Sequence, residues 1–421
     1  MNPGTPTRTG AIVLGSDFKA LGVVRSLGRR GIPCVLVDGL PRSAWFSRYV
    51  TRRFRWSGAM WGPEFLDFLT RLGTVEGYGG WVLMPMQDEV VELVARNHEA
   101  LGSIFRLVTQ DWEVIRWAHD KRLAHQVAGE LGIPTPRTWY PTSIEDLRRM
   151  EIAYPAIIKP AISIQLQYAI GRKVLPAKNQ EALLAQYRMA TAIIDPAVVM
   201  IQETIPGDGR TQFSVAAFCN DGSMLNAMTA RRTRQFPVDY GLSSTFVEAI
   251  EIPGLLTIAE RLLARLRLSG PVELEFKHDR RDGTDRLLDI NVRPWGWHTL
   301  CRASGLDFSY MQYRAAFGEL PPAVQPAYGH RWRRLVTDIP AALQELRNGT
   351  LSPRDYLASL RGRSVPAVLD LRDPLPAAGD VVVALLRSLK RGSRGHARLT
   401  SGERVEVVAK PDAEVGRRAV V

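Results

Sequence analysis

The stretch from residue 272 to residue 293, VELEFKHDRRDGTDRLLDINVR, constrains the fold most strongly, because polar and apolar residues alternate on both sides of a short turn. Side chains alternate between the two faces of a β-strand, so every second residue of each arm shares a face. The polar positions of the two arms are Glu273, Glu275, Lys277, Asp289, Asn291 and Arg293. The pattern predicts an antiparallel hairpin with one apolar face and one charged face.

The register of this hairpin follows from which residues must share a face. Directly opposed residues in an antiparallel pair lie on the same face, so polar meets polar only where the two residue numbers add to an even value. A two-residue turn at Asp282 and Gly283 gives an odd sum, whereas a three-residue loop over residues 281–283, with the glycine in the left-handed conformation, gives an even one. We therefore expect the longer loop, with Glu275 opposite Asp289.

Two opposed carboxylates with Cβ atoms about 5 Å apart repel each other unless a positive charge lies between them. Glu275, Asp289 and Asn291 offer oxygen ligands, which suit Mg²⁺, with Mn²⁺ as an alternative ion, and argue against zinc. Mg²⁺ commonly joins one or two carboxylates to substrate phosphates, so the hairpin favours a nucleotide site. The alternative is an ordinary amphipathic hairpin whose charged face is solvated.

The E-F-K strand, the short basic turn and the following L-[DE]-I-N-x-R resemble the metal-binding end of the ATP-grasp superfamily, of the carboxylate–amine ligase type (D-aspartate-ligase-like and carbamoyl-phosphate-synthase-like enzymes). These enzymes join a carboxylate to an amine by way of an acyl phosphate. The resemblance implies that Glu275, Asp289 and Asn291 hold the Mg²⁺ ions that bridge the phosphates of ATP, and that Arg293 faces the reacting acyl group. It covers about residues 10–318. It implies an α/β and α+β fold, in which a Rossmann-like N-terminal domain precedes an ATP-grasp fold of two α+β subdomains.

The N-terminal segment reads as strand, glycine turn, helix and strand. It predicts buried parallel strands over Ala11–Leu14 and residues 34–37, with a helix over residues 21–28 between them. A third strand is expected over residues 81–84. Asp38 follows the second strand, where dinucleotide-binding folds place an acidic ribose ligand. The turn lacks the G-x-G-x-x-G spacing, so a nicotinamide cofactor is the weaker alternative.

In ATP-grasp proteins the first domain resembles one half of a Rossmann fold, and its loops contribute to the site of the acceptor substrate. Gly15, Ser16 and Asp88 are the candidates for that role here. Asp88 also has a simpler explanation, because negative residues suit the N-terminus of a helix.

Two lysines match the phosphate-binding lysines of the family. Lys121 begins a helix that we expect to end at Gly132, and Lys159 follows a buried strand predicted over residues 155–158. A lysine that leaves a buried strand is well placed to neutralise phosphate as a point charge. An ordinary lysine on a helix surface is the alternative for Lys121. The flap after Lys159 holds a single glycine, Gly171, where many relatives carry a glycine-rich loop whose backbone N–H groups cover the phosphates.

The family resemblance also implies a segment that passes the adenine, between two later strands. The residues at those positions are Gln202, Glu203 and Ile205. Asp208 is a candidate for the ribose, and a turn residue before Gly209 is the alternative.

A cluster of arginines follows in TARRTRQFPVDYG. Arginine binds carboxylate and phosphate bidentately, so Arg231, Arg232 and Arg234 are candidates for holding the γ-phosphate or the acid being activated. We expect Arg231 and Arg232 to act with Arg293 in catalysis. A solvated basic loop is the alternative, and Glu248 either receives the amine or pairs with one of these arginines.

The remaining segments carry little chemistry. GLLTIAERLLARLRLSG predicts a core helix that stops at the glycine before Pro271, and His298 is expected to be structural. After Ala327 two amphipathic helices are expected around Gly349. The segment over residues 381–398 is either a helix with a basic tail or a contact with an anionic membrane surface.

The length of 421 residues indicates two or three domains. We expect a Rossmann-like domain over residues 1–105, a small ATP-grasp subdomain with the phosphate lysines over 106–190, a metal and acceptor subdomain over 191–326, and a mostly helical C-terminal extension over 327–421.

Composition excludes several classes of protein. The formal charge of +12 invites nucleic acid as a partner, but the basic residues are scattered and no basic motif with interleaved aromatic residues appears. No run of 18 apolar residues predicts a transmembrane helix, and the N-terminus does not read as a signal peptide. Three widely spaced cysteines fit a reducing cytoplasm.

The expected function is ATP-dependent ligation of a small carboxylate to a small amine, with a homodimer left open. The alternatives are an ATP-grasp carboxylase that uses bicarbonate, and a nucleotide-binding module without catalysis. The glycine-poor flap is the feature that favours the second alternative.

Overall fold

The structure is a computed structural model that describes residues 9–162, 165–241 and 243–384. The N-terminal part forms β1 (Ala11–Leu14), α1 (Phe18–Gly28), β2 (Cys34–Asp38), β3 (Val50–Arg55), α2 (Pro63–Thr74), β4 (Val82–Pro85), α3 (Asp88–Arg96), α4 (His98–Gly102) and β5 (Arg106–Leu107). The strands make one parallel sheet in the order β3-β2-β1-β4-β5, and β1, β2 and β4 are buried throughout. Such apolar strands require cover on both faces, which the intervening helices provide.

The first strand and helix follow the predicted pattern closely. β1 has the predicted bounds, whereas α1 begins at Phe18 instead of residue 21. The reason is an N-cap, because the Asp17 carboxylate accepts hydrogen bonds from the backbone N–H groups of Lys19 and Ala20 at 2.9 and 3.2 Å. The cap adds a turn to the helix before its apolar stripe begins.

The middle part carries a small antiparallel sheet. Its elements are α5 (Trp112–His119), α6 (Lys121–Glu130), β6 (Thr138–Trp139), α7 (Ile144–Arg149), β7 (Ala156–Pro160), α8 (Gln165–Ile170), β8 (Leu175–Ala177), α9 (Gln180–Thr191) and β9 (Val199–Glu203). The strand order is β6-β9-β7-β8. Helix α6 ends before Gly132, which has a φ of +65° in the left-handed region. Strand β7 extends two residues beyond the predicted end and so includes Lys159.

The third part is built on a larger sheet. Its elements are β10 (Gln212–Asn220), β11 (Ser223–Phe236), β12 (Ser243–Ala249), α10 (Pro253–Leu266), β13 (Gly270–Asp279), β14 (Thr284–Asn291), α11 (His298–Ala303), α12 (Phe308–Ala315), β15 (His330–Arg333), α13 (Leu335–Arg347), α14 (Pro353–Leu360) and β16 (Arg363–Pro366). The strand order is β14-β13-β10-β11-β12-β15-β16.

The C-terminal region is more closely joined to this sheet than a helical extension would be. The two expected helices around Gly349 are α13 and α14. Two strands that were not predicted accompany them: β15 pairs antiparallel with β12, and β16 pairs parallel with β15. Of the segment over residues 381–398, the part beyond residue 384 lies outside the described residues. None of the described helices combines the length and hydrophobicity that a membrane span requires.

The central hairpin consists of β13 and β14. Glu275 lies opposite Asp289, as expected. The predicted three-residue loop is wrong, because the strands close with Asp279 opposite Thr284 and the turn covers residues 280–283. This turn gives an odd register sum, which taken alone would oppose polar to apolar residues.

A β-bulge corrects the register. It lies between the pairs of Glu275 and Phe276, so that Phe276 faces Leu287 while Leu288 has no partner across the ladder. Leu287 is consequently buried on the apolar face, at 1% exposure, in place of Leu288, which uninterrupted strand alternation from Asp289 would put there. Burial of the apolar face thus determines the register, and the bulge absorbs the difference in turn length.

The core helix α10 also ends differently from the prediction. It stops at Leu266, and Arg267 adopts the left-handed conformation with a φ of +53°. The guanidinium of Arg267 donates to both carboxylate oxygens of Asp221 at 2.8 and 2.7 Å, which holds the residue in place. Gly270, the expected stop, begins β13 instead.

Two apolar clusters join these parts, and a third lies within the small sheet. One packs α1 and the first sheet against one face of the large sheet and includes the fully buried Trp297 and Trp332. A second packs α5, α6 and α10 on the other face, and a third fills the small sheet. Residues from all three parts reach the charged face of the hairpin.

Candidate active site

The opposed carboxylates of the hairpin are each paired with a different cation. Asp289 Oδ1 lies 2.8 Å from Lys121 Nζ, and Glu275 Oε2 lies 3.0 Å from Arg232 Nη2. All four side chains are less than one-fifth exposed. Burial acts to raise the pKa of both carboxyls, but Lys121 and Arg232 outweigh it, and each pKa lies below its ordinary value. Both acids are therefore charged at neutral pH.

Asn291 lies between two carboxylates. It faces Glu273 across the ladder, and its Nδ2 donates to Glu273 Oε2 and to Glu275 Oε1, at 3.1 Å in each case. Glu273 Oε1 accepts further hydrogen bonds from Trp297 Nε1 at 2.8 Å and from Ser214 Oγ at 3.1 Å. Burial and the charge of Glu275 raise the pKa of Glu273. The polar face of the hairpin is thus a connected network.

The two predicted phosphate lysines approach this network from different elements. Lys121 is the first residue of α6, and its backbone N–H donates to the carbonyl of Ala161 at 3.2 Å, directly after β7. Burial acts to lower the pKa of Lys121, but Asp289 outweighs it and the pKa is raised. Burial and the charge of Lys121 lower the pKa of Lys159 to about 7. The structure therefore brings both lysines beside the hairpin acids.

Arg293 extends from the hairpin toward the first domain. Its Nε and Nη2 each donate to the carboxylate of Asp88 at 2.7 Å, in a bidentate pair. Burial opposes the charged form of each group, yet the pair raises the pKa of Arg293 and lowers that of Asp88. Lys19, which the sequence analysis did not single out, is near this pair and donates from Nζ to the carbonyl of Met86 at 2.7 Å.

The three candidate arginines of β11 take different partners. Arg232 reaches Glu275, and Arg231 Nη2 donates to Glu248 Oε2 at 2.9 Å. Arg234 is 1% exposed and forms a bidentate pair with Asp338, at 2.8 and 2.9 Å. The expectation of a substrate-binding role for Arg234 is corrected, because its guanidinium is buried against α13 and has no access to a ligand.

The residues expected near the adenine lie at the end of β9. Gln202 Nε2 donates to Thr138 Oγ1 at 3.1 Å. Glu203 accepts from the backbone N–H of Arg137 at 2.9 Å and from Arg281 Nη2 at 3.1 Å. These contacts tie β9 to β6 and to the hairpin turn, while the adenine role remains a prediction.

The segment after β9 continues toward the large sheet. Ile205 is buried at 5% exposure. The carboxylate of Asp208 accepts from the backbone N–H of Arg210 at 2.8 Å and caps a short 3₁₀ helix over Gly209–Thr211. This is the behaviour of a turn residue. Lys277 donates from Nζ to the carbonyl of Gly207 at 2.7 Å, which anchors the segment to β13.

Lys173 is a site residue that the sequence analysis missed. It lies in the flap between α8 and β8, and β8 pairs with β7 so that Leu175 is opposite Ile158. Two residues before Leu175, Lys173 therefore lies beside the end of β7 and next to Lys159. Its charge lowers the pKa of Lys159 and of both hairpin acids. An exposed lysine in a flap that has only one glycine is the signal that could have identified it.

The candidate residues of the first domain have structural contacts. Both the backbone N–H and the Oγ–H of Ser16 donate to Asp38 Oδ2 at 2.7 Å, so Asp38 fixes the turn after β1. Gly15 has a φ of +142°, and a Cβ there would lie 2.9 Å from the Cβ of Met86. His298 makes a hydrogen-bond contact from Nε2 to the carbonyl oxygen of Lys19 at 3.0 Å, which agrees with a structural role.

The donor set of the hairpin fits a hard divalent ion that shares its coordination with phosphate. Two opposed carboxylates and an asparagine lie together, with lysines beside them. Within the described ranges, no cluster of three or more His, Cys, Asp or Glu residues could hold a metal on its own. Such an ion would therefore depend on Asn291 and on oxygens of a ligand to complete its shell.

Comparisons with known proteins agree with this geometry. A D-aspartate ligase of Enterococcus faecium (strain Aus0004) is 22% identical over 339 residues, which cover 76% of this chain and 79% of that protein. The crystal structure of an L-amino acid ligase from Bacillus licheniformis has a TM-score of 0.56 at 16% identity, over 76% of this chain and 78% of that chain. A scan against models of protein families finds no match.

A second similar structure contains a nucleotide. It is the biotin carboxylase domain of 2-oxoglutarate carboxylase from Hydrogenobacter thermophilus, in complex with MgADP, ADP and bicarbonate. Its TM-score is 0.61 at 16% identity, over 76% of this chain and 73% of that chain. The expected resemblance is confirmed, and the chain has the fold of the ATP-grasp superfamily.

Proposed function

We propose that the protein is an ATP-dependent carboxylate–amine ligase, which forms an amide or peptide bond by way of an acyl phosphate and releases ADP and phosphate. The observation that carries the proposal is the convergence of Lys121 and Lys159 on the opposed carboxylates of Glu275 and Asp289. These charges come from α6, β7 and the hairpin, three elements that lie far apart in the sequence. The similar proteins include ligases named for D-aspartate and for L-amino acids, so we propose an amino acid as one of the substrates.

The residues of the hairpin suit a metal-bound nucleotide. Glu275, Asp289 and Asn291 would hold Mg²⁺, or Mn²⁺ in its place, and the ion would neutralise phosphate charge and polarise the transferred phosphoryl group. Lys121 and Lys159 would hold phosphate oxygens from the side of the small sheet. Both lysines already lie beside the acids, so ATP binding requires only that Lys121 shares its charge between Asp289 and phosphate.

The chemistry then needs two transfers and no nucleophilic side chain. A substrate carboxylate oxygen attacks the γ-phosphorus while the bond to the leaving oxygen of ADP breaks, which gives the acyl phosphate and ADP. The amine attacks the acyl carbon, the carbon–oxygen bond to phosphate breaks, and the nitrogen loses a proton as the amide forms. Arg293 and Arg232 would present positive charge where negative charge develops in these steps. The expected catalytic role of Arg231 is corrected, because it faces the other side of β11 and pairs with Glu248.

Arg293 is prepared for this role before substrate arrives. The bidentate pair with Asp88 fixes the plane of the guanidinium between the hairpin and the carboxyl end of β4. Preoriented charge costs no reorganisation at the moment of reaction. We also propose that the parallel sheet is the Rossmann-like domain that lends Asp88 to the acceptor site.

The test is release of ADP from ATP and Mg²⁺ across a panel of amino acids and small carboxylates, each with and without an amine. We expect turnover that requires both an acid and an amine. Glu275→Ala should lower kcat by at least about 100-fold, since it removes a charge-stabilising ligand at the reacting centre. Asp285→Ala is the matched control, because Asp285 lies in the same hairpin but pairs with His278 at 2.9 Å, away from the acids.

Three outcomes would contradict the proposal. ADP release stimulated by bicarbonate without any amine would indicate a carboxylase, and binding of ATP without turnover would indicate a module without catalysis. Full activity of Glu275→Ala would remove the assigned metal site.

We also propose that the protein works in the cytoplasm. All three cysteines are free and buried, and burial raises the pKa of each thiol, which agrees with a reducing compartment.

A further inference from the structure

Glu273 has no role among the proposed metal ligands, yet it is 1% exposed and both of its oxygens accept hydrogen bonds. Oε1 is held by Trp297 Nε1 at 2.8 Å and by Ser214 Oγ at 3.1 Å. Oε2 accepts from Asn291 Nδ2 at 3.1 Å. Two donors that lie outside the hairpin thus fix the orientation of the Glu273 side chain independently of Asn291.

The contacts with Glu273 and Glu275 together determine which end of the Asn291 amide faces the site. The terminal group of an asparagine has one oxygen, which accepts, and one NH₂ group, which donates. The atom that lies 3.1 Å from Glu275 Oε1 faces a charged carboxylate that can only accept, so it is the nitrogen, and Glu273 Oε2 lies 3.1 Å from the same atom. Its two hydrogens are used by these bonds. No described residue donates to the amide oxygen, which is left for a ligand.

We propose that Glu273 is a positioning residue that holds the amide of Asn291 with Oδ1 directed toward the metal ion of the site. The inference rests on the proposed function, because it needs the metal–nucleotide complex. A metal ion accepts only the oxygen of an amide, so a flipped Asn291 would present N–H groups and lose the ligand. Glu275 cannot fix the amide by itself, since its oxygens are shared between Arg232 and the proposed ion. Glu273 has no such competing demand.

The variant Glu273→Gln tests this role with little change of shape. The glutamine oxygen can keep the hydrogen bonds of Trp297 and Ser214, which directs its NH₂ group at Asn291. Two NH₂ groups then face each other, and Asn291 relieves the conflict by turning its oxygen toward Gln and its nitrogen toward the site. The metal loses one ligand without loss of volume or of buried packing.

The measurement is metal affinity and not only turnover. Mn²⁺ binding is followed by its electron paramagnetic resonance signal in the presence of ADP, and the Kd of ADP is measured against Mg²⁺ concentration. We expect Glu273→Gln to weaken metal binding by about 10–100-fold, as is typical for residues that orient a ligand. Asp285→Asn, on the distal part of the hairpin, should leave metal affinity unchanged.

A second variant separates positioning from damage to the fold. In Glu273→Gln combined with Asn291→Asp, the aspartate can accept from the glutamine NH₂ with one oxygen and offer the other to the metal. We expect this double variant to bind Mn²⁺ at least about tenfold more tightly than Glu273→Gln alone. A role in stability alone predicts no such recovery.

The outcomes distinguish this inference from the proposed function. Unchanged metal affinity in Glu273→Gln, or failure of the double variant to recover it, overturns the positioning role. If the unsubstituted protein binds neither Mn²⁺–ADP nor Mg²⁺–ADP, the proposed function fails first.

Discussion

ATP binding is expected to add a proton to Lys159. Burial and the neighbouring charge of Lys121 lower the pKa of Lys159 to about 7 in the free protein. Most of these side chains are therefore neutral at pH 8. A phosphate oxygen beside Nζ favours the charged form, so the lysine must gain a proton when the nucleotide binds.

The size of the effect follows from the position of this pKa. With a pKa of about 7, Lys159 is about 90% neutral at pH 8. If the phosphates return the pKa toward the ordinary value of 10.5, binding at pH 8 takes up about 0.9 proton. The nucleotide-bound state favours the protonated form of Lys159, so the affinity for the nucleotide is greatest below pH 7 and falls as the pH rises. Between pH 7 and pH 9 the loss is roughly 50-fold.

Calorimetric titration with a non-hydrolysable ATP analogue and Mg²⁺, in buffers of different ionisation enthalpy, measures this uptake. The terminal phosphate is already ionised above pH 7, so the proton must come to the protein. Lys159→Met should abolish the uptake, whereas the exposed Lys178→Met should retain it. Equal uptake in Lys159→Met, or less than about 0.2 proton in the unsubstituted protein at pH 8, would refute the reasoning.

Two further substitutions separate binding from stability. Lys173→Ala should raise the KM for ATP by about tenfold in steady-state kinetics, because one charged contact to phosphate is lost. The neighbouring Arg172→Ala should leave this KM unchanged, and equal effects of the two variants would argue against a specific role for Lys173. Arg234→Ala should lower the free energy of unfolding by about 3–5 kcal/mol in urea denaturation, since it leaves Asp338 buried without its partner. The folded fraction of that variant should keep its KM for ATP, and a large increase in KM would return Arg234 to the site.

The hairpin could be predicted because strand alternation is a local rule with a strong consequence. Every second residue must share a face, so a buried apolar face leaves one register that satisfies both arms. Glu275 and Asp289 meet in that register even though the turn has a different length from the one expected. The bulge at Leu288 makes the two compatible, and no residue in the turn signals it.

The partners of the arginines could not be predicted, because they depend on distant parts of the chain. Arg232 and Arg234 are two positions apart and look equivalent in the sequence. Arg232 binds Glu275 in the site, whereas Arg234 binds Asp338, 104 positions further along the chain. That contact requires α13 to pack on β11, and an amphipathic helix pattern does not specify which sheet face it will cover.

The pairing of charges in the site also explains why the nucleotide should bring its own metal. Glu275, Asp289 and Asp88 are each neutralised by one cation: Arg232, Lys121 and Arg293. Two further lysines, Lys159 of β7 and Lys173 of the flap, make no ion pair with a described residue. Once both are protonated they add about two positive charges, which are closer to the net charge of about −2 of MgATP than to the charge of about −4 of free ATP. Because Lys159 is expected to gain its proton only when phosphate binds, the extra positive charge develops together with binding. A nucleotide without metal would leave the site with an excess of negative charge.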